Sequence, residues 1–260
     1  MALLCPLGSG SSGNCTLVRG GTTTLLVDAG TSCKAICTAL EQCQVSYEEV
    51  DGILLTHEHT DHIKALPVLL KKINVPVYAT HAVLDYITKN LKIPANIPLV
   101  PVEDKPFCLH DVEITAFPTP HDSVGSVGYQ IHTPDDRRVG VATDLGHMTP
   151  EIMENLKKCN GLLLESNYDD GMILCSPYPY YLKRRIMSPS GHLSNDDCAQ
   201  AAAELARAGV SHLILGHLSQ NNNLPDLAFS ATRTILDQNG FEDVQLQVAL
   251  RNQCSKPVIL

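Results

Sequence analysis

Apolar residues come in short bursts along this chain, most of them followed by glycine, proline or polar ligand-type side chains. The N-terminal run through Leu7 predicts a first strand. Residues 15–18 and 24–28 read as a hairpin joined through Arg19-Gly20-Gly21-Thr22. A helix is predicted over 33–43 and a strand over 51–56. Across 62–73, Ile63, Leu66, Leu69, Leu70 and Ile73 recur at helical spacing despite Pro67. A strand at 75–79 and a helix at 81–90 follow. Further strands are predicted at 112–117, 126–132 and 138–143.

The second half keeps this alternation. Thr149-Pro150-Glu151 combines a cap, a first-turn proline and an acid, so a helix starts there and runs to about Lys158. Gly161–Glu165 is a strand. Ser194-Asn195-Asp196-Asp197 opens a helix through Ala208, closed by Gly209. A strand at 210–215 and a helix at 225–238 complete the pattern. Strands alternating with helices, with hairpins in both halves, fit an α/β architecture of two mixed sheets with helices outside. No solenoid repeat interrupts residues 1–260, which read as a single domain.

Composition narrows the class. A hydrophobic content of 44% is ample for a buried core. No run of about eighteen uncharged apolar residues is present, and the N-terminus lacks a secretory signal pattern, so a cytoplasmic protein with no membrane partner is expected. The ten cysteines include no CxxC pair, and reduced thiols are expected. Cys33, Cys37 and Cys43 match no usual zinc spacing. Cys5, Cys15 and Cys108 read as small core hydrophobes. The net charge of −9 counts against a general polyanion binder unless a local basic patch overrides it.

One run changes the picture. His57-Glu58-His59-Thr60-Asp61-His62 follows the apolar stretch Gly52-Ile53-Leu54-Leu55-Thr56 and offers three imidazoles and the carboxylate of Asp61, besides that of Glu58, from one loop. Such donors suit zinc, manganese or iron. A turn that is histidine-rich by chance explains three histidines and an aspartate within six residues poorly.

The pattern HxHxDH resembles the signature of the metallo-β-lactamase superfamily. The resemblance implies an αββα sandwich and two divalent metal ions, zinc or manganese, with iron possible. It implies one ion held by His57, His59 and His121, a second by Asp61, His62 and His217, and Asp144 bridging them. Each of these ligands follows an apolar run, so all gather at one edge of the sheet framework. A water held between two cations about 3.5–4 Å apart becomes a hydroxide nucleophile, and such a site attacks carbonyl or phosphoryl centres alike. Asp28, closing Leu25-Leu26-Val27, reads by analogy as the carboxylate that orients a ligand histidine, or else as a turn aspartate.

His192, in Gly191-His192-Leu193-Ser194, matches the histidine of the superfamily's phosphodiesterase branch, and Glu165 its carboxylate partner. The resemblance therefore implies a catalytic set of Asp61, His192 and Glu165. Lys183, Arg184 and Arg185, beside Tyr180 and Tyr181, suit phosphate contact and base stacking, although three charges also make an ordinary solvated surface.

Closer still, Gly8-Ser9-Gly10-Ser11-Ser12-Gly13-Asn14-Cys15, Glu165-Ser166-Asn167-Tyr168-Asp169 and Leu215-Gly216-His217-Leu218-Ser219-Gln220-Asn221-Asn222 resemble the YycJ/WalJ-like family over residues 3 to about 225. That family implies a metal-dependent phosphodiesterase with DNA as substrate, a 5′-to-3′ double-stranded exonuclease. The 72 residues between Asp144 and His217 leave no room for the large inserted domain of β-CASP nucleases. The competing expectation is a small-molecule hydrolase of the same fold, for cyclic phosphodiesters, thioesters or lactones.

Overall fold

The structure is a computed structural model describing residues 1–103 and 105–260. Its strands, in chain order, are β1 (Leu3–Gly8), β2 (Cys15–Gly20), β3 (Thr23–Val27), β4 (Gly52–Leu54), β5 (Val77–Ala79), β6 (Leu99–Pro101), β7 (Phe107–Leu109), β8 (Val112–Pro118), β9 (Val127–His132), β10 (Arg138–Ala142), β11 (Gly161–Glu165), β12 (His212–Gly216), β13 (Gln245–Val248) and β14 (Val258–Ile259). The helices are α1 (Cys33–Gln42), α2 (Thr60–Ile63), α3 (Leu66–Lys72), α4 (His81–Asn90), α5 (Pro150–Leu156), α6 (Asp170–Cys175), α7 (Tyr180–Ile186), α8 (Asn195–Arg207) and α9 (Pro225–Gln238).

Among the described residues the strands form two seven-stranded sheets, ordered β14-β1-β2-β3-β4-β5-β6 and β13-β12-β11-β10-β9-β8-β7. Each is antiparallel in one half and parallel in the other. The layering follows from period-two alternation along strands buried on both faces. Leu4, Val18, Leu25, Val27 and Leu54 of the first sheet meet Ile114, Tyr129, Val141, Leu163 and Ile214 of the second in the central core. Their neighbours Cys5, Leu17, Leu26 and Ile53 face outward beneath Ile36, Leu40, Leu69 and Val83 of α1, α3 and α4. In the second sheet Leu162, Leu164, Leu213 and Leu215 point the other way, under α5, α8 and α9. This is the αββα sandwich expected from the sequence.

Strand direction places the site. β10, β11 and β12 are parallel, and β8 runs with them because β9 is antiparallel to both β8 and β10. The C-terminal ends of β8, β10, β11 and β12 therefore share one edge, the position where open α/β sheets bind ligands.

Three sequence expectations need correction. The periodic stretch 62–73 is not one helix: α2 ends at Ile63 and α3 begins at Leu66, with Pro67 in the first turn of α3. Proline has no N–H to donate, so it is tolerated in a first turn and not in a helix interior. The strand at 51–56 pairs only over Gly52–Leu54, because the chain then leaves the ladder to form the histidine loop. Cys108 is exposed on the edge hairpin β7–β8, whereas Cys5 and Cys15 are buried as expected.

Candidate metal centre and active-site cleft

Seven side chains from four separate segments converge at the shared edge. His57, His59, Asp61 and His62 come from the loop and short helix after β4. His121, Asp144 and His217 follow β8, β10 and β12. His57 Nε2 lies 3.1 Å from His59 Nδ1, and His121 Nε2 lies 3.2 Å from the same atom. On the other side, His62 Nε2 is 3.2 Å from Asp144 Oδ2 and 3.6 Å from Asp61 Oδ2, and His217 Nε2 is 3.5 Å from Asp61 Oδ2. Asp144 Oδ1 reaches back to His121 Nε2 at 3.6 Å.

The remaining ring nitrogens show which atoms are free. His62 Nδ1 donates to Asp28 Oδ2 at 2.8 Å. The Thr56 hydroxyl donates to the same carboxylate at 2.9 Å, so it accepts from His57 Nδ1 at 3.0 Å. His121 Nδ1 donates to the Gly191 carbonyl at 3.0 Å, and His217 Nδ1 to Glu165 Oε1 at 2.8 Å. Each of these four rings spends its proton on an outer partner and turns an Nε2 lone pair inward. His57 Nε2 and His121 Nε2 both face His59 Nδ1, which can offer a proton to only one of them, whereas a shared cation would satisfy all three. Asp144 Oδ2 and His217 Nε2 are buried without a hydrogen-bond partner, the orphaned atoms a metal would satisfy.

Electrostatics agree with this assignment at His57 and His121. Burial, reinforced by neighbouring His62, pushes His57 well below the ordinary histidine value, and burial lowers His121 as well. Both are therefore neutral donors. Burial also opposes charge on His62 and His217. Asp28 and Asp144 outweigh it at His62, and Asp144 with Asp61 and Glu165 lifts His217 to about 10. The carboxylates that draw a second proton onto these two rings would also attract a divalent cation in its place.

The backbone shows how the site is held. Asp28, Asp144 and His217 all have left-handed φ, at 65°, 58° and 54°. Non-glycine residues adopt this conformation at a cost of order 1–3 kcal/mol, and here it turns each side chain toward the shared edge. Gly30 lets the histidine loop pack against the β3–α1 turn, since a Cβ there would overlap the Asp61 carbonyl.

His192 sits beside the cluster. Its Nδ1 donates to Glu165 Oε1 at 2.8 Å, the same oxygen that receives His217, while Glu165 Oε2 accepts from Leu145 N and Leu193 N. The His192 side chain is 22% exposed against 2% for His217, so it faces the cleft. Burial disfavours its charge, but the Glu165 carboxylate prevails and raises its pKa.

The cleft measures about 300 Å³, and its wall brings Tyr178, Leu182, Arg185 and Ser219 close to Asp61, Asp144 and His192. Of the basic run, only Arg185 reaches it, held by Asp122 Oδ2 at 2.5 Å. Lys183 Nζ instead donates to the Leu174 carbonyl, Arg184 lies over the Tyr180 ring, and Tyr180 and Tyr181 are exposed outside the cleft. Asp28 bonds a histidine of the cluster directly, which an ordinary turn aspartate would not do.

Sequence reasoning missed four supporting residues. They are Thr56, Asn14 (3.0 Å from His62 Nε2), Asn167 (2.7 Å to the His217 carbonyl) and Ser9, whose hydroxyl accepts from His217 N. All four lie inside or next to motifs the sequence displays, but nothing in a motif says which polar side chain meets which histidine.

The model of the Beta-lactamase superfamily domain matches residues 23–218. Exodeoxyribonuclease YycJ of Bacillus anthracis is 36% identical over 238 residues, 90% of this chain and 89% of that protein. The chain belongs to the YycJ/WalJ family of the metallo-β-lactamase superfamily. Exodeoxyribonuclease WalJ of Streptococcus pneumoniae is 33% identical over 225 residues, covering 85% of this chain and 83% of WalJ. Among solved structures, the metallo-β-lactamase fold protein YhfI from Bacillus subtilis superimposes with a TM-score of 0.76 at 19% identity, covering 98% of this chain and 100% of YhfI, a likeness of fold. Divalent metal ions go with a metallo-β-lactamase fold, and the donor set of this YycJ/WalJ family member fits them.

Proposed function

We propose that this chain is a dinuclear metal-dependent phosphodiesterase acting on DNA, a 5′-to-3′ exonuclease on duplex ends. The observation that carries the reading is His192, tied through Glu165 to His217 and facing a cleft lined by ligand-type histidines and aspartates. Membership in a family whose relatives bear the name exodeoxyribonuclease supports it.

His57, His59 and His121 would hold one ion, Asp61, His62 and His217 the second, with Asp144 between them. Zinc and manganese both suit this nitrogen and oxygen set. When bound, such a pair supplies an activated water and neutralises phosphate charge. The chain's own groups do the rest. Asp28 and Glu165 fix the tautomers that leave Nε2 free. Asp61, on the cleft side of the cluster, would accept a proton from the attacking water. His192, whose pKa Glu165 raises against its burial, would donate to the phosphoryl oxygens or to the leaving oxygen from its Nε2. Arg185 offers a further cation on the cleft wall. A cleft of about 300 Å³ suits a strand end better than a passing duplex.

The test compares linear duplex DNA, bis(p-nitrophenyl) phosphate and S-lactoylglutathione as substrates for the wild type and His192→Ala. DNA and the small phosphodiester should be cleaved, and the variant should lose about 10²–10⁴-fold in turnover on both with little change in DNA affinity. Thioester hydrolysis that survives the substitution, with no cleavage of DNA, would overturn the reading in favour of a small-molecule hydrolase.

A further inference from the structure

Three thiols that this chemistry does not use meet on the outer side of the first sheet. Cys5 lies on β1, Cys43 immediately follows α1, and Cys254 lies in the segment between β13 and β14. Their sulfurs form a triangle with sides of 3.5 Å (Cys5–Cys43), 3.4 Å (Cys5–Cys254) and 3.2 Å (Cys43–Cys254). Cys5 is buried and the other two are partly buried. No residue of the triangle lines the His/Asp cleft. Cys254 instead forms part of the wall of a different cleft of about 470 Å³, with Leu7, Thr38, Gln42 and Asn252.

The geometry favours one small ion. A disulfide joins two sulfurs at about 2.05 Å and leaves the third without a role. Three thiolates around a single ion with bonds of about 2.3 Å stand about 3.8–4.0 Å apart, so this triangle needs to open by only about half an ångström. The donor set is all sulfur, which selects soft zinc-class ions over manganese, magnesium or calcium. The adjoining cleft supplies an entry path and room for a solvent ligand. One sulfur is already prepared, since contact with Cys5 brings Cys43 down to about 6 against its partial burial.

We propose that Cys5, Cys43 and Cys254 form a mononuclear thiolate site for a zinc-class ion, with its fourth position open to the adjoining cleft. Binding releases the thiol protons to solvent as the sulfurs ligate as thiolates. The ion would pin three segments distant in sequence. One is the C-terminal stretch, where Ser255 N already bonds the Pro6 carbonyl and Leu260 N the Ala2 carbonyl.

The probe is cadmium, whose thiolate complexes give an ultraviolet charge-transfer band that imidazole and carboxylate ligands do not. Reduced protein with manganese supplied for the cleft is titrated with Cd(II). A band that saturates at one equivalent per chain is expected, and Cys254→Ser and Cys43→Ser should each lose it while DNA cleavage is unchanged. Absence of the band in wild-type protein overturns the proposal whether or not the variants fold. A band that persists unchanged in both variants overturns it too, by assigning the signal to other cysteines.

Discussion

Each inward-facing histidine nitrogen in the cleft depends on a proton held elsewhere. Asp28 serves two rings, His62 directly and His57 through Thr56, so its removal disturbs both proposed ion sites although it is a ligand of neither. Asp28→Asn should weaken metal affinity by about 10–100-fold, read by titration against a chelator, while the far-ultraviolet circular dichroism stays native. Asp144→Ala should do more. One carboxylate spans the two halves of the cluster, so metal content should fall at both sites, and two tightly held ions in that variant would exclude the bridging role. Residues are unequally legible at this scale. His57, His59, Asp61 and His62 declare themselves because one loop carries them all. Cys5, Cys43 and Cys254 are invisible to spacing rules because three remote segments deliver one sulfur each. Cys33, Cys37 and Cys43, closer in sequence, do not form such a group.

At the scale of elements, the parallel halves of the sheets do the positioning. Most of their strands are apolar runs buried on both faces, which makes them readable, as are α8 and α9 with their clear start signals. Short edge elements are not. β6, β7, β13 and β14 span two to four residues, too few for a period to emerge. Helix α7 contains no buried residue and has no side-chain cap, so it lacks both an apolar stripe and a start signal. The left-handed turns at Asp28, Asp144 and His217 have no sequence mark either, since glycine would be the usual occupant. Gly30 marks the tightest junction between loops. Gly30→Ala would force its new methyl into the Asp61 carbonyl and should cost about 1–3 kcal/mol of stability in a urea transition. Because Asp61 and His62 would be displaced, metal content should fall with it. Unchanged stability and metal content would show that the loop yields freely.

For the molecule as a whole, the difficulty is charge. A net charge of −9 opposes a polyanionic substrate at long range, and two divalent ions in the cleft would offset only part of it. A DNA substrate would therefore have to be met by local cations, and helix α7 carries three, of which Arg185 reaches the cleft. Their environments divide the work. Arg185 lines the cleft and is oriented by Asp122, so Arg185→Ala should slow turnover on DNA and on a small phosphodiester alike. Lys183 and Arg184 lie outside the lining, beside exposed Tyr180 and Tyr181, where only a longer substrate reaches them. The double variant Lys183→Ala/Arg184→Ala should therefore weaken duplex binding and spare bis(p-nitrophenyl) phosphate. Every DNA phosphate that these side chains neutralise in the wild type should account for about 0.9 of the slope of log affinity against log salt, so the variant's slope should be smaller by that amount per phosphate. A shallower slope with normal small-substrate turnover would make α7 the grip on the DNA backbone. An unchanged slope would reduce Lys183 and Arg184 to solvated surface and leave an acidic protein with no means of holding a polyanion beyond its cleft. In that event a small anionic ester would be the better substrate.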